Sequence, residues 1–530
     1  MTDTATPGRR GSGPSATPPP CPPGTPANRR RDRIAIAVTA VLLAALTAAV
    51  VGTLHAGDNL SGPGRLLAGY AVAWALFAAA VWTVRKVPVR AATVLVLLGA
   101  AAVALAGLAA PPRTSTDMYR YAWDGRVQAA GTSPYAHPPA APELADLRDD
   151  WLFPTNGSCR GWGLTHTDDG LCIRINRPAV PTIYPPVAEG WYLAVHTVSP
   201  PDSRHKPLQV GGAILAFGTT AALLVVLRRR GDPQRAPGRA ALWAWCPAVA
   251  FEAVNNAHID TLGVLLTVLA LGTATAGSRR GALLGAAIAV KFLPVLALPG
   301  ALCGQRGPAR ALRVVVSAVA AVALAYLPYV LASGGGVLGY LPGYLHEEGY
   351  EPGHVRRFAL LRLLLPDAAA GATAAVLLAV TALYVWWRGD PARPWRGALL
   401  LAGTALLLLS PGYPWYSLLT VALVALDGRW EWLTVTLAGT VLYLAGRLLP
   451  GFPLQAWAYG AAALVIAVGA CLRSDLARRL AGRAWGATSH AAGTPPQPSR
   501  RAQQTRPERA ASRSSPSPHP ASPTGSASSS

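Results

Sequence analysis

Long apolar runs recur along most of this chain, and they constrain its fold more than any other feature. Several approach the ~20 apolar residues that a helix needs to cross a bilayer, as at 34–54, 66–84, 91–110, 208–227, 311–331 and 432–449. Only 14% of the 530 residues are charged, whereas about 25% are charged in an average soluble protein. The runs lack the polar–apolar alternation of a membrane β-barrel. We therefore predict an all-α polytopic membrane protein, whose helices satisfy the backbone hydrogen bonds.

The positions of the basic residues predict how these helices are oriented. Although the net charge is +22, the arginines lie at the ends of apolar runs and in the two tails, as the positive-inside rule describes. The charge therefore does not indicate a nucleic-acid partner. Basic residues at 29–33, before the first run, and at 85–90, after the second, place these ends in the cytoplasm. Counting each arm of two broken hairpins as a crossing, we predict about 12–14 transmembrane helices in the plasma membrane, with both termini cytoplasmic.

Composition divides the chain into a membrane domain and two tails. Residues 1–32 and 484–530 are rich in Pro, Ser, Thr and Arg, which predicts disordered cytoplasmic tails that can contact lipid headgroups. Residues 33–473 form the transmembrane domain, with a large first external loop at 111–207 and a second at 333–357. The segment 187–199 is apolar but short for a span. We expect it to be an interfacial or re-entrant helix, and whether it crosses the membrane stays open.

The first external loop begins with a cluster of acidic, basic and aromatic residues close to the end of an apolar run. Asp117 lies where the run ends, so its carboxylate is expected to be partly desolvated and basic, as a general base requires. Asp117 could equally be an interfacial residue with no catalytic role, whose side chain keeps the end of a helix in contact with water. Asp124 follows seven residues later, nearly on the same helical face, and is either a second catalytic carboxylate or the partner of a nearby arginine. Which of the two is the base stays open.

A lysine within an apolar run is the least expected residue in the sequence. Lys291 interrupts the run 281–302, and ionisable residues inside a membrane are functional by default. We predict that Lys291 binds the phosphate of a lipid-linked donor, the alternative being a lysine that extends to the interface. A guanidinium group can donate two parallel hydrogen bonds to the oxygens of one phosphate. Three arginines of the first loop are therefore further candidates for binding the phosphate: Arg120, Arg126 and Arg177.

Polar and aromatic residues at other breaks predict a sugar-binding surface. Asn255, Asn256, His258 and Asp260 interrupt another apolar run and offer directional hydrogen bonds to sugar hydroxyls, although they could simply cap two short helices. His258 and Asp260 lack the further ligands of a metal site. Aromatic residues are common at membrane interfaces but can also stack on a sugar ring or guide a polyprenyl chain; the candidates are Tyr121, Trp123, Tyr184, Tyr413 and Trp415.

Two cysteines of the first loop predict a disulfide. Cys159 and Cys172 share the first loop, and on an oxidising side of the membrane a disulfide between them is favoured over two free thiols.

The sequence has no convincing nucleotide-binding motif and no soluble α/β stretch for a nucleotide-sugar domain. Any sugar donor used on the outer face is therefore expected to be lipid-linked, with no cofactor indicated.

Several of these motifs occur in the order found in a known superfamily. Asp117-x-Tyr-x-Tyr-x-Trp-Asp-Gly-Arg126, Gly131-x-x-Pro-Tyr135 and Tyr184-Pro-Pro186 resemble the first external loop of GT-C glycosyltransferases. The resemblance continues at Asn255–Asp260, at Ala289–Pro294 and at Ser410-Pro411 with Pro414-Trp-Tyr416, and so covers roughly residues 33–473. It is strongest to the polyprenol-phosphate-mannose-dependent α-mannosyltransferases of actinobacteria, and more distant to the catalytic GPI mannosyltransferase of eukaryotes.

The resemblance implies an activity and a catalytic residue. By this likeness Asp117 is the catalytic carboxylate, and a sugar, mannose by analogy, passes from a polyprenyl phosphate to a cell-envelope glycan or glycolipid on the external face, with inversion. An insert at 138–176 departs from the family pattern, and it leaves the identity of the acceptor open. The competing class is a polytopic transporter or lipid flippase, which also uses broken helices. An enzyme requires Asp117, Lys291 and the turn at 255–260 to converge within about 15 Å.

Overall fold

A computed structural model of the chain describes residues 26–155, 159–273, 277–304, 307–338, 341–348, 357–446, 448–449 and 453–491. Within these residues the regular secondary structure is almost entirely helical, and the predicted all-α polytopic architecture is confirmed. The helices are α1 (Pro26–His55), α2 (Pro63–Val84), α3 (Val89–Gly107), α4 (Asp117–Ala129), α5 (Pro186–Val198), α6 (Lys206–Arg230), α7 (Ala236–Ala244), α8 (Asp260–Gly272), α9 (Gly277–Ile288), α10 (Leu298–Leu302), α11 (Pro308–Ser333), α12 (Leu341–Glu347), α13 (Asp367–Arg388), α14 (Trp395–Leu409), α15 (Leu418–Asp427), α16 (Leu433–Ala445) and α17 (Leu454–Ala491). A π-helix covers Val249–Asn255, and short 3-10 helices cover Pro142–Leu147, Leu293–Ala297, Gly334–Leu338, Leu361–Leu363, Pro414–Ser417 and Trp430–Trp432.

The predicted number of about 12–14 transmembrane helices counted each arm of the two broken hairpins as a crossing. Seven helices in the described part of the chain are long and apolar enough to span a membrane, and the π-helix with α8, bent by 111°, brings the number to eight. The seven are Ala27–His55, Pro63–Val84, Val89–Gly107, Lys206–Arg230, Pro308–Val337, Asp367–Arg388 and Leu454–Ser474. The difference arises because the hairpin arms are short: the 13 residues of α8 rise about 20 Å, against a hydrocarbon core of about 30 Å.

The helical domain has a buried centre and a lipid-facing periphery. Every residue of α15 is buried, which is the pattern of a helix enclosed by protein on all sides. Trp243 of α7 is also fully buried, and its Nε1 donates a hydrogen bond of 3.0 Å to the carbonyl of Ala216. In contrast, α11 and α13 present exposed apolar side chains such as Leu324 and Val380. These outer helices are therefore the ones suited to contact lipid tails.

Both predicted breaks in the apolar runs are present. After the π-helix the chain turns through Ala257, whose φ of +51° lies in the left-handed region, an uncommon conformation for a residue other than glycine. Lys291 lies between the end of α9 and the 3-10 helix that begins at Leu293. The amide of Val187, in α5, donates to the carbonyl of Ala289 at 2.9 Å. This bond joins the first loop to the second break.

The first loop folds as a small layer of its own around α4 and α5. These two helices pack closely at Gly125, where an added Cβ would lie 2.5 Å from the carbonyl oxygen of Tyr192. At 13 residues α5 is not among the span-length helices. Two short strands, β1 (Thr165–His166) and β2 (Cys172–Ile173), pair antiparallel, with Thr165 opposite Ile173. A disulfide joins Cys159 to Cys172, with Cα atoms 5.7 Å apart.

The ends of the helical region differ from the predicted domain boundaries. The first helix begins at Pro26, within the expected tail, and the last helix continues to Ala491, past the expected boundary at 484. The rest of both tails lies outside the described residues. The second predicted loop, 333–357, contains α12, and its residues 339–340 and 349–356 lie outside the described part.

Candidate active site

Side chains from four separated parts of the chain line one cavity of about 490 Å³. Asp117 comes from the start of α4, Arg177 and Tyr184 from the end of the first loop, Lys291 from the second break, and Trp415 from the corner after α14. All five were predicted from the sequence as site residues. The cavity therefore brings an acid, two cations and aromatic rings to one place.

The carboxylate of Asp117 is oriented by neighbours from distant parts of the chain. Its Oδ1 accepts a hydrogen bond of 2.6 Å from Asn176 Nδ2, and its Oδ2 lies 3.7 Å from Nδ1 of His258. Because Asp117 is the first residue of α4, its negative charge also faces the positive end of the helix dipole. The side chain keeps 15% of its surface exposed. It is therefore held in place while remaining open to the cavity.

Behind Asp117, a buried imidazole and a second carboxylate complete a row of three ionisable groups. The His258 side chain is fully buried and stacks on Trp415, with ring centroids 4.0 Å apart. Its Nε2 lies 3.4 Å from Oε2 of Glu252, which in turn accepts a hydrogen bond of 2.9 Å from Asn256. The order carboxylate–imidazole–carboxylate places a group that can take up and release a proton next to Asp117.

The two cations that line the cavity are each paired with a carboxylate. Lys291 Nζ lies 2.7 Å from Oδ2 of Asp260 and 5.0 Å from the ring centroid of Tyr416. Arg177 forms an ion pair with Glu347 of α12. Burial opposes the charged form of Arg177, but the pair with Glu347 raises its pKa above the ordinary value. Both cations are therefore positioned by protein contacts before any ligand binds.

Aromatic rings form the remaining wall of the cavity. Tyr413 stacks on Trp415 with centroids 4.8 Å apart and planes inclined by 26°. The hydroxyl groups of Tyr344 and Tyr416 are 2.6 Å apart, and both residues line the cavity. Flat apolar faces with hydroxyl groups at their edges suit a sugar ring, which has apolar C–H faces and polar edges.

The structure places the two predicted asparagines behind the cavity, where they hold the backbone that leads to Asp117. Asn255 Nδ2 donates to the carbonyls of Gly107 and Ala110 at 3.1 and 2.9 Å. Asn256 Nδ2 donates to Thr114 Oγ1 at 2.6 Å, and its Oδ1 accepts from the Ser115 amide at 3.3 Å. Both are buried. The structure brings neither to the cavity wall, in contrast to the sugar contact expected from the sequence.

Asp124 and Arg120 are also placed away from the cavity. They form a buried ion pair, with Arg120 Nε 2.9 Å from Asp124 Oδ1, and Arg120 also donates to the carbonyl of Val180 at 3.1 Å. Burial raises the pKa of Asp124, although Arg120 opposes this shift. The pair therefore joins α4 to the end of the loop, and the structure gives neither residue a direct path to the cavity.

The other predicted loop residues occupy the interior of the loop or a separate cavity. Arg126 pairs with Asp149 at 2.5 Å and lines a separate cavity of about 540 Å³. Tyr121 packs edge-on against Tyr184, with centroids 5.0 Å apart, and Trp123 is buried against Phe153. These residues support the cavity wall from behind or lie at a distance from it.

The family model for GT87, Glycosyltransferase family 87, matches residues 183–411, which is less than half of the chain. The match supports a membrane glycosyltransferase. It includes Tyr184, the turn at 255–260 and Lys291, and it begins after Asp117. No curated protein and no solved structure matches the chain.

Several residues of this candidate site were given no role from the sequence. Glu252 is an acid within an apolar run, which was the available signal. Asn176 directly precedes Arg177, but its bond to Asp117 joins positions 59 residues apart and leaves no local pattern. Trp162, from the insert, lines the cavity and donates to the carbonyl of Pro112 at 3.0 Å. Among the described residues, no group of three or more His, Cys, Asp or Glu could hold a metal ion.

Proposed function

We propose that this membrane glycosyltransferase moves a sugar from a polyprenyl phosphate to an envelope glycan or glycolipid, on the external face and with inversion. Asp117 accepts the proton of an acceptor hydroxyl as that oxygen attacks the anomeric carbon. The bond between the anomeric carbon and the phosphate oxygen breaks, and its electron pair leaves with the polyprenyl phosphate. Attack opposite the leaving group inverts the anomeric configuration, and no redox partner is required.

The leaving phosphate is assigned to Lys291 and Arg177. Both cations line the cavity that contains Asp117, and charge-assisted hydrogen bonds to phosphate are about twice as strong as neutral ones. As the phosphate leaves it gains negative charge, so fixed cations stabilise the transition state more than the ground state. Asp260 and Glu347 would then share their cations with the ligand.

The observation that carries the proposal is the presence of Asp117, Lys291 and Arg177 on the wall of one cavity of about 490 Å³. A general base and phosphate-binding cations must face the same bound sugar for an in-line displacement. The contact between His258 and Asp117, at 3.7 Å, also brings the turn at 255–260 to this place. The convergence that an enzyme requires is thus supported by the geometry.

Mannose is the proposed sugar because of the sequence resemblance to polyprenol-phosphate-mannose-dependent enzymes. The external location follows from the distribution of arginines, which predicts cytoplasmic ends for the first helix and for the α2–α3 connection. A transporter or flippase is less favoured, since the family match supports transfer chemistry.

The proposal is tested by transfer of radiolabel from polyprenyl-phosphate-mannose in membranes that contain either the wild-type chain or Asp117→Asn. We expect incorporation with the wild type and a loss of about 10²–10⁴-fold in the variant, the range for removal of a general base. Asp168→Asn, an exposed acid of the same loop, is the matched control and should retain activity.

Two outcomes would contradict the proposal in different ways. Equal activity of Asp117→Asn and wild type would remove Asp117 from the role of base and leave the transferase standing. No incorporation in any membrane, with other polyprenol-linked sugars also tried, would overturn the lipid-donor transferase and favour a carrier. The anomeric configuration of the product, determined by NMR, tests inversion separately.

A further inference from the structure

A further cavity, of about 390 Å³, lies at the opposite end of the helical domain. Val87, just before α3, and Ala92, in its first turn, line it, whereas Gly107, at the other end of α3, is held by Asn255 beside the candidate active site. The 19 residues of α3 rise about 28 Å, close to the ~30 Å thickness of a hydrocarbon core. The cavity and the candidate active site are therefore separated along α3 by about the thickness of a bilayer, as a site for lipid phosphates in the opposite leaflet requires.

Three arginines line this cavity: Arg85, Arg235 and Arg239. Arg235 lies 3.4 Å from Asp232, an acid that is not part of the lining. The other nearby acid, Asp427, accepts a hydrogen bond of 3.0 Å from Arg396 and forms a second ion pair with Arg429. The lining includes no acidic residue. The wall of the cavity therefore carries a net positive charge.

Two of these arginine side chains, Arg239 and Arg85, pack closely against the backbone of a glycine. Gly428 has a φ of +88°, and a Cβ added there would lie 3.1 Å from Nε of Arg239. A glycine at this position both permits the turn and leaves room for the guanidinium. On α7, a Cβ added to Gly238 would lie 3.6 Å from Cγ of Arg85, so the aliphatic part of Arg85 packs over this helix. The guanidinium groups are thus held near the cavity by the fold.

The rest of the lining suits the apolar part of a lipid. Val84, Val87 and Leu242 contribute apolar walls. Trp430 also lines the cavity and is 54% exposed, as is common for tryptophan at the level of the headgroups. Cationic pockets between transmembrane helices are typical binding sites for phosphate-bearing headgroups.

We propose that this cavity binds the phosphate group of an anionic phospholipid, in the leaflet opposite the candidate active site. Arg85 and Arg239 bind the phosphate oxygens, and the first carbons of the acyl chains lie against the apolar wall. A free phosphate ion offers the same oxygens but gains nothing from the apolar wall. The proposal does not depend on the transfer reaction assigned to the other end of the protein.

The test uses the full chain purified in detergent, with lipid binding measured by native mass spectrometry and by thermal unfolding. Phosphatidylglycerol, phosphatidylcholine and inorganic phosphate are added separately. We expect phosphatidylglycerol to bind and to raise the melting temperature, with a weaker response to the other two. Arg85→Gln/Arg239→Gln should weaken phosphatidylglycerol binding by roughly tenfold or more, as loss of hydrogen bonds to a charged group predicts.

A matched control separates the site from general charge effects. Arg90→Gln removes an exposed arginine at the same end of α3 that is not part of the lining, and it should bind phosphatidylglycerol like the wild type. Arg85→Gln alone, at the exposed end of α2, provides a variant with little risk to folding. Equal losses in Arg90→Gln and in the double variant would overturn the site. An equal response to inorganic phosphate would overturn the lipid as its ligand.

Discussion

Asn176 Nδ2 donates a hydrogen bond of 2.6 Å to Asp117 Oδ1 and so joins the end of the first loop to the start of α4. This bond fixes the direction of the carboxylate that faces the cavity. We predict that Asn176→Ala lowers the rate of sugar transfer by about 10–100-fold, because a base that is no longer oriented reacts less efficiently. Initial rates at saturating donor measure the effect, which should fall mainly on kcat. An unchanged kcat would show that this bond is not needed for transfer.

The row Asp117–His258–Glu252 predicts a second, electrostatic effect. Glu252→Gln removes a buried acid 3.4 Å from His258 but keeps the shape of the side chain. We expect a loss in rate of about tenfold and a change in the pH–rate profile, since glutamine cannot exchange a proton with His258. A loss in rate with no change in the pH profile would indicate that Glu252 has only a packing role.

Lys291 is partly exposed and pairs with the buried Asp260, so a single substitution would confuse ligand binding with stability. Lys291→Met should raise KM for the donor by about 10–100-fold, but it also leaves Asp260 without its partner, which is destabilising. The double variant Lys291→Met/Asp260→Asn removes both charges. We expect it to recover thermal stability but not donor binding. Recovery of both would show that Lys291 serves the fold and not the phosphate.

The disulfide between Cys159 and Cys172 closes the part of the insert that contains Trp162. Cys159→Ser/Cys172→Ser should lower the local stability of this loop by about 2–4 kcal/mol, the usual contribution of a disulfide. Limited proteolysis should then cut the loop faster, and transfer should weaken through substrate binding. Cys471→Ser, which removes an exposed free cysteine, is the matched control. Equal cleavage of all three proteins would contradict this prediction.

Glu189 is buried beside Asp124 in the first loop, and it predicts a dependence of stability on pH. Burial, and then the charge of Asp124, raises the pKa of Glu189 well above its ordinary value of 4.5. The folded protein therefore holds a proton that the unfolded chain releases, so stability is greatest below pH 4.5 as far as this group is concerned. It falls as the pH rises through the elevated pKa.

Glu189→Gln should remove this dependence, because a glutamine can still accept the hydrogen bond of 2.7 Å from Thr182 and does not ionise. We expect its melting temperature to fall less than that of the wild type as the pH rises above 4.5. Glu143→Gln changes an exposed acid and should follow the wild-type curve. Parallel curves for Glu189→Gln and wild type would contradict the assignment.

The sequence predicted the helical class, the two broken runs and six of the residues that line the cavity. It did so because each of these features is visible within a short window: an apolar run of a given length, or a lysine inside it. The predicted number of spans counted each hairpin arm as a crossing, whereas arms such as α8 are shorter than the bilayer, and seven or eight helices of the described residues reach span length. Asn255 and Asn256 were predicted to bind the sugar because the sequence shows that they are asparagines but not which way their side chains point.

By itself, then, the sequence determined that this chain is an all-α membrane protein and which of its polar residues interrupt apolar segments, because transfer of a residue into hydrocarbon depends on that residue and its near neighbours. Only the tertiary structure decided which polar groups meet. The contact of Asp117 with Asn176, and the bond from the Ser115 amide to Asn256 across 141 positions, depend on how distant helices pack. No local pattern contains that information, and it is this packing that turns scattered polar residues into a site.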